Sequence, residues 1–161
     1  MTTYLVVLEL APMRIDAEYH RLPLHCTLAF WFKLNRTVQE LHDHIAKSAA
    51  RFGTVDVQGT AIAFTSGAKL SGRVPLAVTK VELTPRLQAL HLLIRDTLIG
   101  LGADFIRPEF LGESYKPHVT HVAKQKLLPG TAKTCDTICI VSAPSFEYDY
   151  PRRVESKISL V

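Results

Sequence analysis

The segment 24–32 alternates between apolar and partly polar positions, as a half-buried strand does. Its odd positions open with His25 and Thr27 and continue with Ala29 and Trp31. Since side chains at alternate positions of a strand share one face, we expect the imidazole and the hydroxyl to lie side by side. The even positions are all apolar and predict the face that packs on the core. They are Leu24, Cys26, Leu28, Phe30 and Phe32.

The segment 114–122 repeats this pattern after a proline. Pro117 biases the residue before it away from helix, and the β-branched residues that follow favour extended structure. His118 and Thr120 then share one face of a strand, and Val119 points to the other face. The sequence therefore predicts an H-x-T pair on a strand in each half of the chain.

Two further segments carry apolar residues at helical spacing and begin with capping signals. Thr37 and Glu40 form a capping box ahead of the first, and Thr84 with Pro85 opens the second. A loop rich in glycine and serine covers residues 66–73. Strands outnumber helices, which predicts an α+β fold with antiparallel sheets and helices outside. Apart from the two H-x-T segments, the predicted strands cover residues 4–10, 55–64, 74–83, 137–142 and 153–160.

Length and composition fit a single domain spanning residues 1–161. The 161 residues are 47% hydrophobic and 21% charged. The longest apolar runs, such as 92–94, are far too short to cross a bilayer. Three cysteines without a CxxC pair argue against a disulfide framework, so we expect a reducing, cytoplasmic setting. The net charge of +4 fits an anionic substrate, but only weakly.

Two H-x-T triplets among seven histidines are weak evidence by number alone. Each triplet, however, lies in an apolar strand, where a histidine and a threonine without polar partners are costly to desolvate. Histidine takes or gives a proton near neutral pH, and threonine hydroxyls donate to phosphate oxygens. Two such pairs on opposite walls of a cleft would suit in-line cleavage of a phosphodiester, and this chemistry requires no metal.

The runs His25-Cys-Thr-Leu28 and His118-Val-Thr120 resemble the paired motifs of the 2H phosphoesterase superfamily. The stretch from Phe110 to Thr120 looks like the aromatic-glycine-tyrosine-x-proline-histidine-hydrophobic-threonine run of its bacterial 2′-5′ RNA ligase-like members. The resemblance covers nearly the whole chain in element order. It implies a bilobal α+β fold, in which two antiparallel sheets form a concave cleft and the helices pack outside.

The resemblance also implies an activity and a role for each motif residue. Members act on 2′,3′-cyclic phosphates, 2′-5′ linkages or related cyclic nucleotides without a metal or other cofactor. By motif match, His25 and His118 exchange protons, and Thr27 and Thr120 hold the phosphate. The family favours His118 as the base and His25 as the acid. We expect a nucleotide or RNA substrate, a monomer, no obligatory protein partner and no membrane. His121 departs from the pattern, since an apolar residue usually follows the motif, and we interpret it as a neutral, hydrogen-bonded histidine on the core face.

Five further residues are candidate substrate contacts. Tyr115 and Lys116 precede the second motif and are expected at the mouth of the cleft. Trp31 is either a stacking surface for a base or part of the core. Lys124 shares the face of the second motif by alternation, and is either a phosphate contact or a solvated lysine. Arg73, at the exit of the glycine- and serine-rich loop, is a candidate for gripping substrate.

Several functions remain open at this point. The first is cleavage of 2′,3′-cyclic phosphate or 2′-5′-linked substrates. The second is hydrolysis of cyclic di- or oligonucleotide signals, as in some phage-encoded members of the superfamily. The third is a non-catalytic nucleotide- or RNA-binding module. The fourth is a purely structural domain, in which both motifs would be coincidental. Specificity resides in the loops. Arg152 and Arg153 are interpreted as solvated.

Overall fold

The computed structural model describes residues 2–65, 76–147 and 150–161. These residues form ten strands and two α-helices, α1 (Val38–Ala49) and α2 (Pro85–Gly100). Two short 3-10 turns, Pro108–Phe110 and Gly112–Ser114, lie between α2 and β7. The strands are β1 (Thr3–Glu9), β2 (Glu18–Tyr19), β3 (His25–Lys33), β4 (Val55–Phe64), β5 (Ala77–Val81), β6 (Asp104–Phe105), β7 (His118–Thr120), β8 (Ala132–Cys135), β9 (Thr137–Ala143) and β10 (Arg152–Ser159).

The described strands pair in one continuous path, in the order β2-β10-β9-β1-β3-β7-β5-β4-β8, with β6 beside β3. Every pair along it is antiparallel. The three-residue strand β7 joins β3 to β5, and so connects the two parts of the sheet. The predicted α+β architecture with antiparallel strands is confirmed. The division into two separate sheets is not confirmed, because β7 makes the path continuous.

Both helices pack on one side of the sheet, here called the helix face. α1 begins at the predicted capping box, in which the Thr37 hydroxyl accepts from the Glu40 N–H at 3.1 Å and the Glu40 carboxylate accepts from the Thr37 N–H at 2.9 Å. α2 begins at Pro85, with Thr84 as its cap. The main core lies between the helices and the sheet. It includes Leu41, Ile45, Leu87, Leu90, Ile94, Cys26, Leu28 and Val119.

A smaller apolar cluster lies on the opposite side of the sheet, here called the site face. Strand β1 contributes to both sides, as its unbroken apolar run predicts: Val6 and Leu8 belong to the main core, and Leu5 and Val7 to the second cluster. The connection between β1 and β3 adds side chains that cover this second cluster. Its other members are Met13, Leu22, Trp31, Cys139, Val141, Ala143 and Val154.

Strand β3 departs from strict alternation. Its pairing with β1 shifts register at two points after residue 27. Ala29, which alternation assigns to the face of His25, is buried in the main core. Phe30, which alternation assigns to the core, packs against the second cluster. The prediction is wrong at these two positions, but His25 and Thr27 precede the shifts and keep their common face.

The sequence pattern does not predict three of the short strands, namely β2, β6 and β8. Each has only two to four residues, too few for alternation to be recognised. The strand predicted over 74–83 is described only as Ala77–Val81, and the loop 66–73 lies outside the described residues. Within the described part of the chain, no helix has the length and apolar character needed to cross a membrane.

Candidate active site

The two H-x-T strands are hydrogen-bonded neighbours. Strands β3 and β7 pair antiparallel, with Cys26 opposite Val119. Both side chains are fully buried in the main core. The residues that flank each of them therefore point the other way, to the site face. These flanking residues are the four motif residues, which the fold brings together.

The same register sets the arrangement of the four side chains. Continuing it by one residue on each side places Thr27 opposite His118, and His25 opposite Thr120. The two histidines thus lie on a diagonal, where residues are separated by roughly 7–8 Å and their β-carbons by somewhat less. This spacing suits a phosphate group between the rings. The expectation of facing walls needs correction, because the histidines lie on adjacent strands and rise from a common floor.

Each histidine ring is held in the same way by its own chain segment. His25 Nδ1 lies 2.9 Å from the carbonyl oxygen of Pro23, and His118 Nδ1 lies 3.1 Å from that of Lys116. A carbonyl oxygen can only accept, so Nδ1 carries the hydrogen in both rings. In the neutral rings the lone pair then belongs to Nε2, which is the nitrogen available to exchange a proton.

The two histidines differ in environment. His25 is half-buried, whereas His118 is exposed. Burial lowers the pKa of His25, its hydrogen bond to Pro23 opposes this, and the charges of His118 and Arg152 lower the pKa further. The net direction is downward, so His25 is neutral at neutral pH. A neutral ring at this position can accept a proton.

Tyr115 belongs to the framework beneath the site. It is 7% exposed, and its hydroxyl donates to the Thr27 carbonyl at 2.7 Å. Its ring stacks on His91 of α2, whose Nδ1 donates to the Leu28 carbonyl at 2.7 Å and whose Nε2 accepts from the Gly112 N–H at 2.9 Å. The expectation that Tyr115 lines the mouth of the cleft is wrong, because its side chain points into the core.

Trp31 and Arg152 pack together on the site face. Trp31 is 5% exposed within the second cluster, which favours core packing over base stacking. The Arg152 guanidinium carbon lies 5.8 Å from the centre of its ring, and Nη1 donates to the carbonyls of His20 and Tyr150 at 3.2 and 2.9 Å. The interpretation of Arg152 as solvated is wrong, since it is buried and its charge acts on His25.

The other candidate contacts have separate outcomes. Lys116 is exposed beside the second motif, and its role as a substrate contact stays a prediction. Strand β7 ends at Thr120, and Lys124 lies in a turn over 122–125 whose second residue has a positive φ of 53°. Strand alternation therefore does not extend to Lys124, and its predicted place on the face of the motif is wrong. Arg73 lies outside the described residues.

His121 is a hydrogen-bonded histidine, as predicted from its place after the motif. The Thr79 hydroxyl donates its single hydrogen to the Leu127 carbonyl at 2.6 Å. It therefore accepts from His121 Nε2–H at 2.9 Å. Burial lowers the pKa of His121, and the charge of Lys126 lowers it further. His121 thus ties the end of the second motif to the buried side of β5.

Two charged residues beside the motifs were not identified from the sequence. Glu9 of β1 lies opposite His25, and Lys80 of β5 lies opposite His118. The Glu9 carboxylate pairs with Lys157 at 2.7 Å, whereas the Lys80 side chain is exposed. Alternation gives the face of each residue but not the strand beside it, so no local signal points to either one.

Comparison with known proteins gives a family and a fold. Residues 7–154 match a family model described as the 2′-5′ RNA ligase superfamily. A crystal structure of a phosphoesterase matches with a TM-score of 0.59 and 13% identity, covering 100% of this chain and 99% of that chain. No curated protein matches the sequence.

Two named bacterial proteins share the fold. LigT of E. coli, complexed with 3′-AMP, matches with a TM-score of 0.56 and 12% identity over 99% of this chain and 98% of its own. TT0787 of Thermus thermophilus matches with a TM-score of 0.57 and 17% identity, again over 99% and 98%. At these identities the likeness concerns the fold alone.

Proposed function

The chain belongs to the 2′-5′ RNA ligase superfamily, and we propose that it is a metal-independent phosphodiesterase acting on 2′,3′-cyclic phosphate or 2′-5′-linked nucleotides and RNA. One observation carries this proposal: the antiparallel register of β3 and β7 brings both H-x-T motifs onto one face. That face is the site face, opposite the helices and the main core. His25, Thr27, His118 and Thr120 form the catalytic block on it.

The anchored rings support acid–base catalysis from Nε2. In hydrolysis of a cyclic phosphate, one histidine takes a proton from water as the water oxygen bonds to phosphorus. The other histidine gives a proton to the departing ribose oxygen as its bond to phosphorus breaks, which leaves a phosphate monoester. The hydroxyls of Thr27 and Thr120 donate to the non-bridging oxygens.

The lowered pKa of His25 favours it as the base. A general base must be unprotonated before reaction, and burial holds His25 in that state. His118 then acts as the acid. This assignment reverses the one that the family resemblance favours, and the two differ in which histidine sets the acid limb of the pH profile.

The solved relatives support a nucleotide as the substrate. LigT of E. coli has been crystallised with 3′-AMP, with ATP and with NADP+. All three ligands carry phosphate and an adenine base. A protein of the same fold thus accepts nucleotides of different sizes.

Turnover assays in EDTA test the proposal. We expect the protein to hydrolyse 2′,3′-cyclic nucleotides, and His25→Ala and His118→Ala each to reduce kcat by about 100-fold or more. His44→Ala, an exposed histidine on α1, is the matched control and should leave kcat unchanged. Cyclic dinucleotides in the same assay test the second candidate substrate class.

Two outcomes would contradict the proposal. Loss of turnover in EDTA would exclude the metal-independent mechanism. Absence of turnover, with nucleotide binding that survives both alanine variants, would instead indicate a non-catalytic binding module.

A further inference from the structure

We propose that Lys80 forms a second phosphate subsite beside His118, which binds a phosphate flanking the scissile one, so that an oligonucleotide end binds more tightly than a free cyclic mononucleotide. The inference rests on the proposed function for the identity of the scissile group. It adds a binding site for a phosphate that is not cleaved.

The pairing of β5 with β7 places Lys80. Lys80 lies directly opposite His118, and the preceding pair is Thr79 opposite Val119. Thr79 and Val119 are both fully buried. Alternation then turns Lys80 to the site face, where directly opposed β-carbons are roughly 5 Å apart.

The position of Lys80 relative to the motifs selects a flanking phosphate. The scissile phosphate lies between β3 and β7, where the two histidines and two threonines already surround it. Lys80 is one strand beyond His118, a distance of roughly 4.8 Å. Its four-carbon stem is flexible and its ammonium is a compact charge that suits a phosphate oxygen. A phosphate held there is offset from the scissile one, as the next phosphate of a nucleotide chain is.

The charges near Lys80 are compatible with this role. Lys116 is exposed and precedes His118 by two residues. Glu82 is also exposed and follows the end of β5, two residues beyond Lys80, so a carboxylate is close along the chain to this positive charge. The positive charge of Arg152 is near the other histidine, where it lowers the pKa of His25. Within the part of the chain that the structure describes, Lys80 is thus a cation placed directly opposite the histidine of the second motif.

Binding measurements with two product-like ligands test the subsite. Calorimetric titration compares adenosine 3′-monophosphate with adenosine 3′,5′-bisphosphate, which adds one phosphate. We expect the wild type to prefer the bisphosphate, and Lys80→Gln to weaken bisphosphate binding about tenfold while leaving the monophosphate nearly unchanged. Lys80→Arg should retain the preference, and Lys133→Gln, an exposed strand lysine on β8, should behave as the wild type.

The results separate this inference from the proposed function. Equal weakening of both ligands by Lys80→Gln, or no weakening of either, would overturn the subsite, as would a wild type that does not prefer the bisphosphate. A parallel assay compares turnover of a 2′,3′-cyclic mononucleotide with that of a dinucleotide ending in a 2′,3′-cyclic phosphate. If the wild type hydrolyses neither substrate, the proposed function is contradicted. The binding titration still decides the role of Lys80 in that case.

Discussion

The rings of His91 and Tyr115 stack face to face, with centroids 3.8 Å apart and planes inclined by 1°. The pair joins α2 to both motif strands from the buried side. His91 holds the Leu28 carbonyl of β3 and the Gly112 N–H that precedes β7, and Tyr115 holds the Thr27 carbonyl. The relative position of the two H-x-T motifs is therefore fixed by groups that do not reach the site face.

Tyr115→Phe should slow catalysis without removing a substrate contact. The substitution keeps the stacked ring but deletes the hydroxyl that donates to the Thr27 carbonyl at 2.7 Å. We expect a loss of about 1–2 kcal/mol in the free energy of unfolding, measured by urea denaturation, and a lower kcat with little change in KM. Tyr150→Phe, at an exposed tyrosine, is the control and should match the wild type. A raised KM with unchanged kcat would point to a direct contact with substrate.

Stability should fall as the pH drops below about 6.5. Burial lowers the pKa of His91, of His25 and of His121 in the folded protein. Below the ordinary histidine pKa the unfolded chain therefore binds protons that the folded chain excludes, so acidification favours unfolding. For His91 the cause is also visible in the structure, since a protonated Nε2 would face the Gly112 N–H, leaving two donors in contact.

The variant His91→Gln tests how much His91 contributes to the loss of folding stability at acidic pH. We expect the variant to be less stable at neutral pH by about 1–3 kcal/mol, and its Tm to decline less steeply between pH 6.5 and 5. His44→Gln, on the exposed side of α1, should reproduce the wild-type slope. A wild-type Tm that stays level across this range would contradict the inference that burial keeps these histidines neutral in the folded protein.

Removing the charge of Arg152 should move the acid limb of the activity profile to higher pH. The charge of Arg152 is one of the causes that lower the pKa of His25. Arg152→Gln should therefore raise that pKa, whereas Arg152→Lys keeps the positive charge and should leave the limb nearly in place. The measurement is kcat/KM against pH. An unmoved limb in the glutamine variant would indicate that His25 does not set it.

Two glycines should respond to alanine in opposite directions. A β-carbon at Gly59 would lie 2.7 Å from the Leu128 carbonyl oxygen, so Gly59→Ala should destabilise the fold by about 1–3 kcal/mol. A β-carbon at Gly100, the last residue of α2, meets nothing within 4 Å. Gly100→Ala should stabilise by about 0.5–1 kcal/mol, because the unfolded chain loses conformational freedom. Equal effects of the two changes in urea denaturation would contradict this.

The elements that local patterns encode were predictable from the sequence. Alternation over residues 25–27 and 118–120 gave the common face within each motif, and the capping signals at Thr37 and Thr84 gave the start of each helix. These features depend on residues within a few positions of one another. Neighbours along the chain therefore sufficed to infer them.

The features that could not be predicted from the sequence depend on contacts between distant segments. The adjacency of His118 with Lys80 requires the pairing of β7 with β5, and the inward turn of Tyr115 requires α2 beneath it. The register shifts in β3 change the faces of Ala29 and Phe30 without a glycine or proline to mark them. The predicted face of Lys124 is wrong because β7 ends after three residues and Lys124 lies in the turn that follows.

The position of β1 between β3 and β9 has a consequence for synthesis of the protein on the ribosome. The partner of one edge of β1 is β3, which follows soon after it in the chain. The partner of the other edge is β9, and that edge stays unpaired until Thr137–Ala143 has emerged. Until then the unpaired edge of this apolar strand stays open to other partners, which is a route to aggregation. The half of the sheet that supports His25 is completed last, although its first strand is made first.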